Sequence, residues 1–502
     1  MAAAVAVAEP KTKYDRQLRI WGDQGQAALE KASICLLNCG PTGTEALKNL
    51  VLGGIGSVTV VDGSKVEQSD LGNNFLLDEG CLGQSRAKSI CSFLQELNDA
   101  VKAKYVEESP ATMIDTNPSF FSQFTVIIAT QLPESSLLKL DSICRSANIV
   151  LVAARSYGLT GLVRVSIKEH CVIESKPDHS LDDLRLHNPW TELKQFAKSI
   201  DICDKDPVVH KHTPYIVILD LIRAHMLNVD EDNYKEAVES SYKVSVTPGI
   251  SDEIRQIIDD SSSEVNFSSS DFWVLVASLK EFIANEGNGE LPLEGTIPDM
   301  TSLTEYYVSL QKIYQAKAES DCLAMEYRVK SILKRIGRDP DSISRACIKT
   351  FCKNTRKLKV CRYRSLEEFS SPVLSEVQKY FADEDSCFAM NFYVLLRAVD
   401  RLAANYSRLP GQFDSEIGED VPRLKEAAVS VLSDMGLKGS SLSEDLIAEV
   451  CRFAGAEIHP VAAFIGGVAS QEVIKLVTKQ FVPLNGTFIF NGIDLKSQVL
   501  AL

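Results

Sequence analysis

The most distinctive chemistry in the chain lies in a turn of small residues, Asn38-Cys-Gly40-Pro41-Thr-Gly43-Thr-Glu45. Glycine-rich turns between a strand and a helix bind phosphate, because missing Cβ atoms admit the anion and N–H groups of the helix terminus point at it. Gly40 and Gly43 keep part of that capacity, but Pro41 has no N–H to donate. On its own the stretch therefore reads first as an ordinary tight strand-to-helix connection. Asp62 stands 24 residues after Asn38, at the end of a second apolar run, where an acid would hold a nucleotide ribose; capping a loop is its competing role. Thirteen cysteines are dispersed, and the nearest pairs are Cys35/Cys39 and Cys347/Cys352, never Cys-x-x-Cys. Structural zinc draws on two closely spaced pairs, so these read as buried free thiols of a reducing compartment. Cys203, in a stretch holding Asp and Lys, reads as a solvated thiol and not a nucleophile.

These residues need elements to hold them. From Tyr14, apolar Leu18, Trp21, Ala28, Leu29 and Ala32 recur at helical spacing, with Asp15, Arg16, Arg19 and Asp23 off the stripe. Residues 33–39 form a continuous apolar run, predicted as a strand. A helix over 44–52, a Gly53-Gly54 stop and a strand over 57–61 follow, making a strand-helix-strand unit. Apolar runs at 125–130, 148–153 and 161–167 extend the alternation expected of a parallel sheet covered by helices. Between 174 and 452 long amphipathic stretches such as 300–336 and 390–406 replace β-branched runs, predicting a mainly helical insertion; acidic, serine-bearing segments at 259–264 and 414–420 read as surface connections. A glycine-broken apolar helix at 460–476 and a strand at 487–491 then return to the first domain. The predicted fold is α/β: a Rossmann-like domain built from 1–173 and 453–502, carrying a large helical insertion at 174–452.

The 502 residues suggest about three domains, and 45% hydrophobic with 24% charged residues is a globular composition. A net charge of −15 and a pI near 5.1 disfavour nucleic acid and anionic membranes as partners. No basic residue precedes the first apolar run and no stretch offers roughly 18 uninterrupted apolar residues, so a cytoplasmic and nuclear location is expected.

Lys13-Tyr-Asp-Arg-Gln-Leu-Arg-Ile-Trp-Gly22 and segments 45–50, 69–77 and 460–475 resemble the ubiquitin-activating and molybdopterin-adenylating superfamily. Within it, segments 130–135, 157–159, 168–170, 182–186, 212–214, 295–300 and 396–401 are similar to the regulatory subunits of Nedd/Rub-type modifier-activating enzymes, the branch of the plant auxin-resistance proteins. The resemblance spans nearly the whole chain. Active members carry Gly-x-Gly-Gly-x-Gly where this chain has Asn38 and Pro41 in place of two glycines. Their phosphate-binding arginine corresponds to Asn73, their lysine to Arg86 and their metal-binding aspartate to Thr130. The resemblance thus implies a degenerate site at Asn38, Gly40, Pro41, Gly43, Asp62, Asn73, Arg86 and Thr130 that binds neither nucleotide nor metal. The insertion resembles half of the catalytic-cysteine region without its cysteine.

What the resemblance implies for function is a non-catalytic subunit in an obligate heterodimer. A homologous catalytic subunit would hold ATP and Mg, adenylate the modifier and take it onto its own cysteine, with a conjugating enzyme as a transient partner. Arg16 of the Tyr-Asp-Arg-Gln motif would reach the partner's ATP in trans; from its position alone it reads as a solvated helix charge. The rivals are a self-sufficient adenylating enzyme, a nicotinamide-dependent oxidoreductase and a purely structural helical scaffold. One departure stands out: Ile216-Val-Ile-Leu219 runs directly into Asp220-Leu-Ile-Arg223, where such proteins carry some thirty more residues.

Overall fold

In the computed structural model, which describes residues 13–178, 182–200, 212–219, 244–245, 249–368, 374–383, 385–437 and 442–502, the first helix, α1 (Asp15–Lys31), is broken at Gly22. There φ is 69° and ψ 177°, a conformation that glycine adopts without strain. The single helix expected from Tyr14 is therefore two segments, and Ala32 lies beyond its end.

Strand β1 (Ser33–Leu37) leads into α2 (Pro41–Leu52), and β2 (Ser57–Val61) completes the unit. Helix α2 starts three residues earlier than predicted, because proline's fixed φ and missing N–H suit the first helical position. Then come α3 (Arg86–Leu97), β3 (Lys102–Val106), β4 (Val126–Thr130), α4 (Glu134–Ser146), β5 (Val150–Tyr157) and β6 (Thr160–Ser166). Parallel pairing sets Leu37 of β1 opposite Val61 of β2 and Ala129 of β4. Strands β5 and β6 are antiparallel, which corrects the expectation of a parallel continuation. The two residues Gly158 and Leu159 allow a hairpin, whereas a parallel crossover needs a dozen or more.

The chain divides into two compact units, one of residues 1–170 and 361–502, the other of 171–360. In the second, α5 (Asp271–Ala284), α6 (Thr304–Arg335) and α7 (Arg345–Lys353) enclose Leu275, Val329, Ile332 and Phe351. The helical insertion thus ends near 360, and not at the predicted 452. Helices α8 (Cys387–Tyr406), α9 (Ile417–Asp434) and α10 (Glu444–Phe453) belong to the first unit. Their apolar faces, with Leu396, Leu402, Leu424 and Val431, share a core with Ile489 and Leu500 of the last two strands, β7 (Thr487–Asn491) and β8 (Lys496–Leu500). A change from strand-like to helical texture marks where helices begin; it does not mark which core they join.

Helix α11 (His459–Thr478) is long and apolar enough to cross a membrane. Half of that apolar stretch is buried, and Val461, Ile465, Ala469 and Val473 join β-sheet residues Ile34, Leu36, Val58 and Val60 in one core. Burying a valine or isoleucine side chain contributes roughly 1.5–3 kcal/mol, so α11 is a core helix. Gly466 lets it approach α2, since a Cβ there would lie 2.8 Å from Thr42 O. The completed sheet runs β8-β7-β6-β5-β4-β1-β2-β3. Cys203 and residues 220–223 of the short join lie outside the described residues.

Candidate functional site

Strand order reverses between β1 and β4, and in open α/β sheets the crevice at such a switch point, beyond the C-terminal ends of the strands, is where ligands bind. Asn38 follows β1 and Thr130 ends β4, so both flank that crevice. They bind each other: Asn38 Nδ2 donates to Thr130 O at 2.8 Å, and Thr130 Oγ1 donates to Asn38 O at 2.7 Å and Leu37 O at 3.2 Å. Asn38 holds φ at 63°, a left-handed conformation that costs most L-residues about 1–2 kcal/mol but that asparagine tolerates. The Asn38 amide thus ties the turn to the end of β4. Thr130 supplies a hydroxyl already donated to carbonyls, where a metal would need a carboxylate.

Asp62, at the end of β2, is buried, and its oxygens are committed within the chain. Oδ2 accepts from Cys39 N at 2.9 Å and Arg86 Nε at 2.9 Å, and Oδ1 accepts from Ser64 N at 2.8 Å. Burial pushes this carboxyl up, but Arg86 and the N–H groups of Cys39 and Ser64 outweigh it and hold Asp62 below the ordinary carboxylate range. The Cys39 thiol also donates to Asp62 Oδ2 at 3.3 Å; burial first, then the adjacent carboxylate, push that thiol well up. Asp62 is a structural anchor for the turn, with both oxygens engaged within the chain.

Arg86 opens α3 and spans two carboxylates, Asp62 at 2.8 Å and Asp70 at 3.1 Å. A cation satisfied twice inside the protein has little left to offer a phosphate. Asn74, buried, donates from Nδ2 to Cys39 O and Thr44 Oγ1, both at 3.2 Å, and fastens the turn from its far side. The Asn73 carbonyl accepts from His459 Nδ1 at 3.0 Å while Phe75 stacks on the His459 ring.

The N-terminus of α2, where a phosphate would sit, holds a side chain from a distant part of the sequence. Glu457 Oε2 accepts from Thr42 N at 3.2 Å and Thr42 Oγ1 at 2.7 Å, and Oε1 fills the space that a Cβ on Gly40 would need. Thr42 Oγ1 also shares a hydrogen bond with Ser156 Oγ at 2.6 Å. The residues present therefore do not fit a nucleotide triphosphate with magnesium: the cation is spent, the helix terminus carries a carboxylate, and the metal-ligand position is an alcohol.

Asn38, Gly40, Pro41, Gly43, Asp62, Arg86 and Thr130 are brought together here. Arg16 is not among them. It is exposed near the start of α1 and has no ion-pair partner among the described residues, whereas Arg19 on the same helix pairs with Asp15 at 2.7 Å. Beside Glu457 opens a cleft of about 930 Å³ lined by Gln131, Arg155, Tyr157, Asp400 and Arg408. Its guanidinium groups are paired, Arg155 with Asp400 at 2.7 Å, Arg401 with Asp434 at 2.7 Å and Arg408 with Asp420 at 2.6 Å. Glu457, Asp70 and Asn74 were not singled out by sequence reasoning. Glu457 meets Thr42 across 415 residues, and no local pattern marks such a pairing.

The model of the ThiF family matches residues 14–501. The chain is 63% identical over 522 residues to a protein of Arabidopsis thaliana named NEDD8-activating enzyme E1 regulatory subunit AXR1, covering 98% of this chain and 97% of that one. A second Arabidopsis protein, the regulatory subunit AXL, is 62% identical over 99% of this chain and 100% of its own length. A NEDD8-activating enzyme E1 regulatory subunit of Xenopus laevis is 41% identical, with 98% of each chain covered. The first alignment spans 522 positions against 502 residues here, so at least 20 positions of that relative have no counterpart in this chain.

Proposed function

The chain belongs to the ThiF family, and on that premise we propose that it acts as the regulatory, non-catalytic subunit of a NEDD8-type modifier-activating enzyme. The observation that carries this reading is the end-to-end identity with regulatory subunits, 63% over 98% of the chain. It is supported by the crevice, where the side chains of Asn38, Asp62, Arg86 and Thr130 are engaged within the chain.

Its partner is a homologous catalytic subunit, and the pair acts on a NEDD8-type modifier. In this reading the assembly is an obligate heterodimer of the large-interface class, ATP and Mg are held by the partner, and a conjugating enzyme docks transiently. This chain supplies structural support and Arg16, whose guanidinium has no ion-pair partner among the described residues and reaches the partner's nucleotide. The proposed location is the cytoplasm and nucleus, and the chain uses neither nucleic acid nor a membrane. A self-sufficient adenylating enzyme fits poorly with an Arg86 that two aspartates consume.

The test is modifier-dependent ATP/pyrophosphate exchange by this chain alone, by the catalytic subunit alone and by both together. Exchange is expected in the combined sample and absent from this chain alone. Isothermal titration of the isolated chain with ATP-Mg is expected to give no heat of binding; micromolar affinity would overturn the reading.

A further inference from the structure

Helices α6 and α7 of the second unit each bring a thiol to one spot. Cys322 lies in the middle of α6, and Cys352 stands one position before the end of α7. Glu319 and Lys349, one turn before Cys322 and Cys352 respectively, approach to 3.4 Å, and Arg345 also pairs with Glu319. The two helices therefore meet in the layer next to the cysteines. Both thiols are buried in the core of Met325, Val329 and Ile348, and the Cys352 thiol donates a hydrogen bond to Cys322 Sγ. Both also line a cleft of about 670 Å³ together with Lys312, Glu319, Lys349 and Lys353, so a small molecule has a route to the pair.

A buried cysteine ordinarily serves as a small apolar side chain. Burial pushes the thiols of Cys35 and Cys144 up, that of Cys144 to about 12. Cys322 differs, because the hydrogen bond from Cys352 holds it below its ordinary 9.0 against burial, with Arg345 and Lys349 adding to the effect. The same contact, together with burial, pushes Cys352 up. One sulfur is thus prepared to attack, and a second lies beside it to resolve the product.

We propose that Cys322 and Cys352 form a peroxide-oxidisable dithiol whose disulfide cross-links α6 to α7. Cys322 Sγ attacks a hydroperoxide: the O–O bond breaks, an S–O bond forms, and the departing oxygen takes the Cys322 proton and leaves as an alcohol, or as water from hydrogen peroxide. Cys352 Sγ then attacks the sulfenic acid sulfur of Cys322; the S–O bond breaks, and its hydroxide leaves as water with the Cys352 proton. The two thiols lose two electrons to the peroxide, and a dithiol reductant reverses the step. Disulfides of reducing compartments are typically transient and sensory. The inference is independent of the proposed partner.

The experiment exposes the full chain to hydrogen peroxide at neutral pH, quenches with iodoacetamide and maps the peptides by mass spectrometry. A cross-linked peptide pair holding Cys322 and Cys352 is expected, and dithiothreitol should abolish it. Before oxidation Cys322 should alkylate at least about tenfold faster than Cys35 or Cys144. Cys352→Ala should leave Cys322 as a sulfenic acid that dimedone captures, whereas Cys322→Ala should leave Cys352 unoxidised. Absence of the cross-linked pair from oxidised wild type would overturn the proposal, and this measurement needs no variant to fold. Alkylation of Cys322 no faster than that of Cys35 would overturn it too, as would dimedone capture at Cys352 in Cys322→Ala.

Discussion

Arg86 and Arg16 are two guanidinium groups in two parts of the first unit, and they have opposite surroundings. Arg86, largely buried at the head of α3, holds Asp62 and Asp70 and is part of the turn's framework. Arg16 is exposed on α1 and has no ion-pair partner among the described residues. A charge that an ancestral site would have offered to a ligand can be retained by giving it internal partners, but it then serves stability. A charge kept for use in trans has to be left without such partners. The two regions therefore differ in what their loss should affect, folding in one case and chemistry in the other.

The largest effect is expected from Arg86→Met. Removing one member of a buried charge cluster leaves Asp62 and Asp70 uncompensated, which costs about 3–5 kcal/mol; equilibrium denaturation in urea measures it. The deficit should depend on pH. With Arg86 present, Asp62 is held below its ordinary 3.8, so its contribution is complete above that value and is lost as pH falls through the lower folded value. In Arg86→Met burial acts on Asp62 without the cation and raises it, so the gap to wild type should narrow as pH falls toward 4. A gap that is constant from pH 7 to 4 would mean that Arg86 acts by packing alone.

Next comes Arg16→Ala, expected to slow modifier adenylation by the reconstituted heterodimer by on the order of 10², the usual worth of a positioned donor at developing charge. Stability should change by only about 0–1 kcal/mol, as for other exposed charges. Arg16→Lys should recover part of the rate, because an ammonium cannot reproduce the guanidinium fork. An unchanged rate would reduce this chain to a scaffold, and a loss confined to heterodimer assembly would make Arg16 an interface residue.

The smallest effect is expected from Thr130→Val, which removes the hydroxyl donated to Asn38 O and Leu37 O. About 1 kcal/mol of stability should be lost, read by thermal unfolding, with adenylation by the heterodimer unaltered. A loss of adenylation larger than the loss of folded protein would place the crevice in the chemistry after all.

Much of the fold could be read in the sequence because its signals are local. The runs 57–61 and 487–491 coincide with β2 and β7, and the apolar helix read at 460–476 occupies His459–Thr478. Strand β3 escaped because Lys102 and Lys104 alternate on a sheet edge with few apolar residues. Strand β8 escaped because Lys496 and Ser497 open it. Of the positions where a family pattern is altered, Asn38, Pro41, Arg86 and Thr130 come together around the turn after β1, whereas Asn73 is held through its carbonyl by His459. What fills the altered site was not legible. Asp70 reaches Arg86 across 16 residues and Glu457 reaches Thr42 across 415, and neither distance leaves a periodic trace.

The antiparallel pairing of β7 with β6 has a consequence for how the chain is made. Thr160 Oγ1 donates to Phe490 O across 330 residues, so at roughly 5–20 residues per second of synthesis β6 waits on the order of 15–65 s for its neighbour. Throughout that interval the nascent chain presents an unpaired sheet edge, the kind of surface that invites association with other chains. The need for chaperoning should therefore fall on the first 170 residues while the rest is being translated, and pulse-labelled chains released before residue 487 should be the aggregation-prone species.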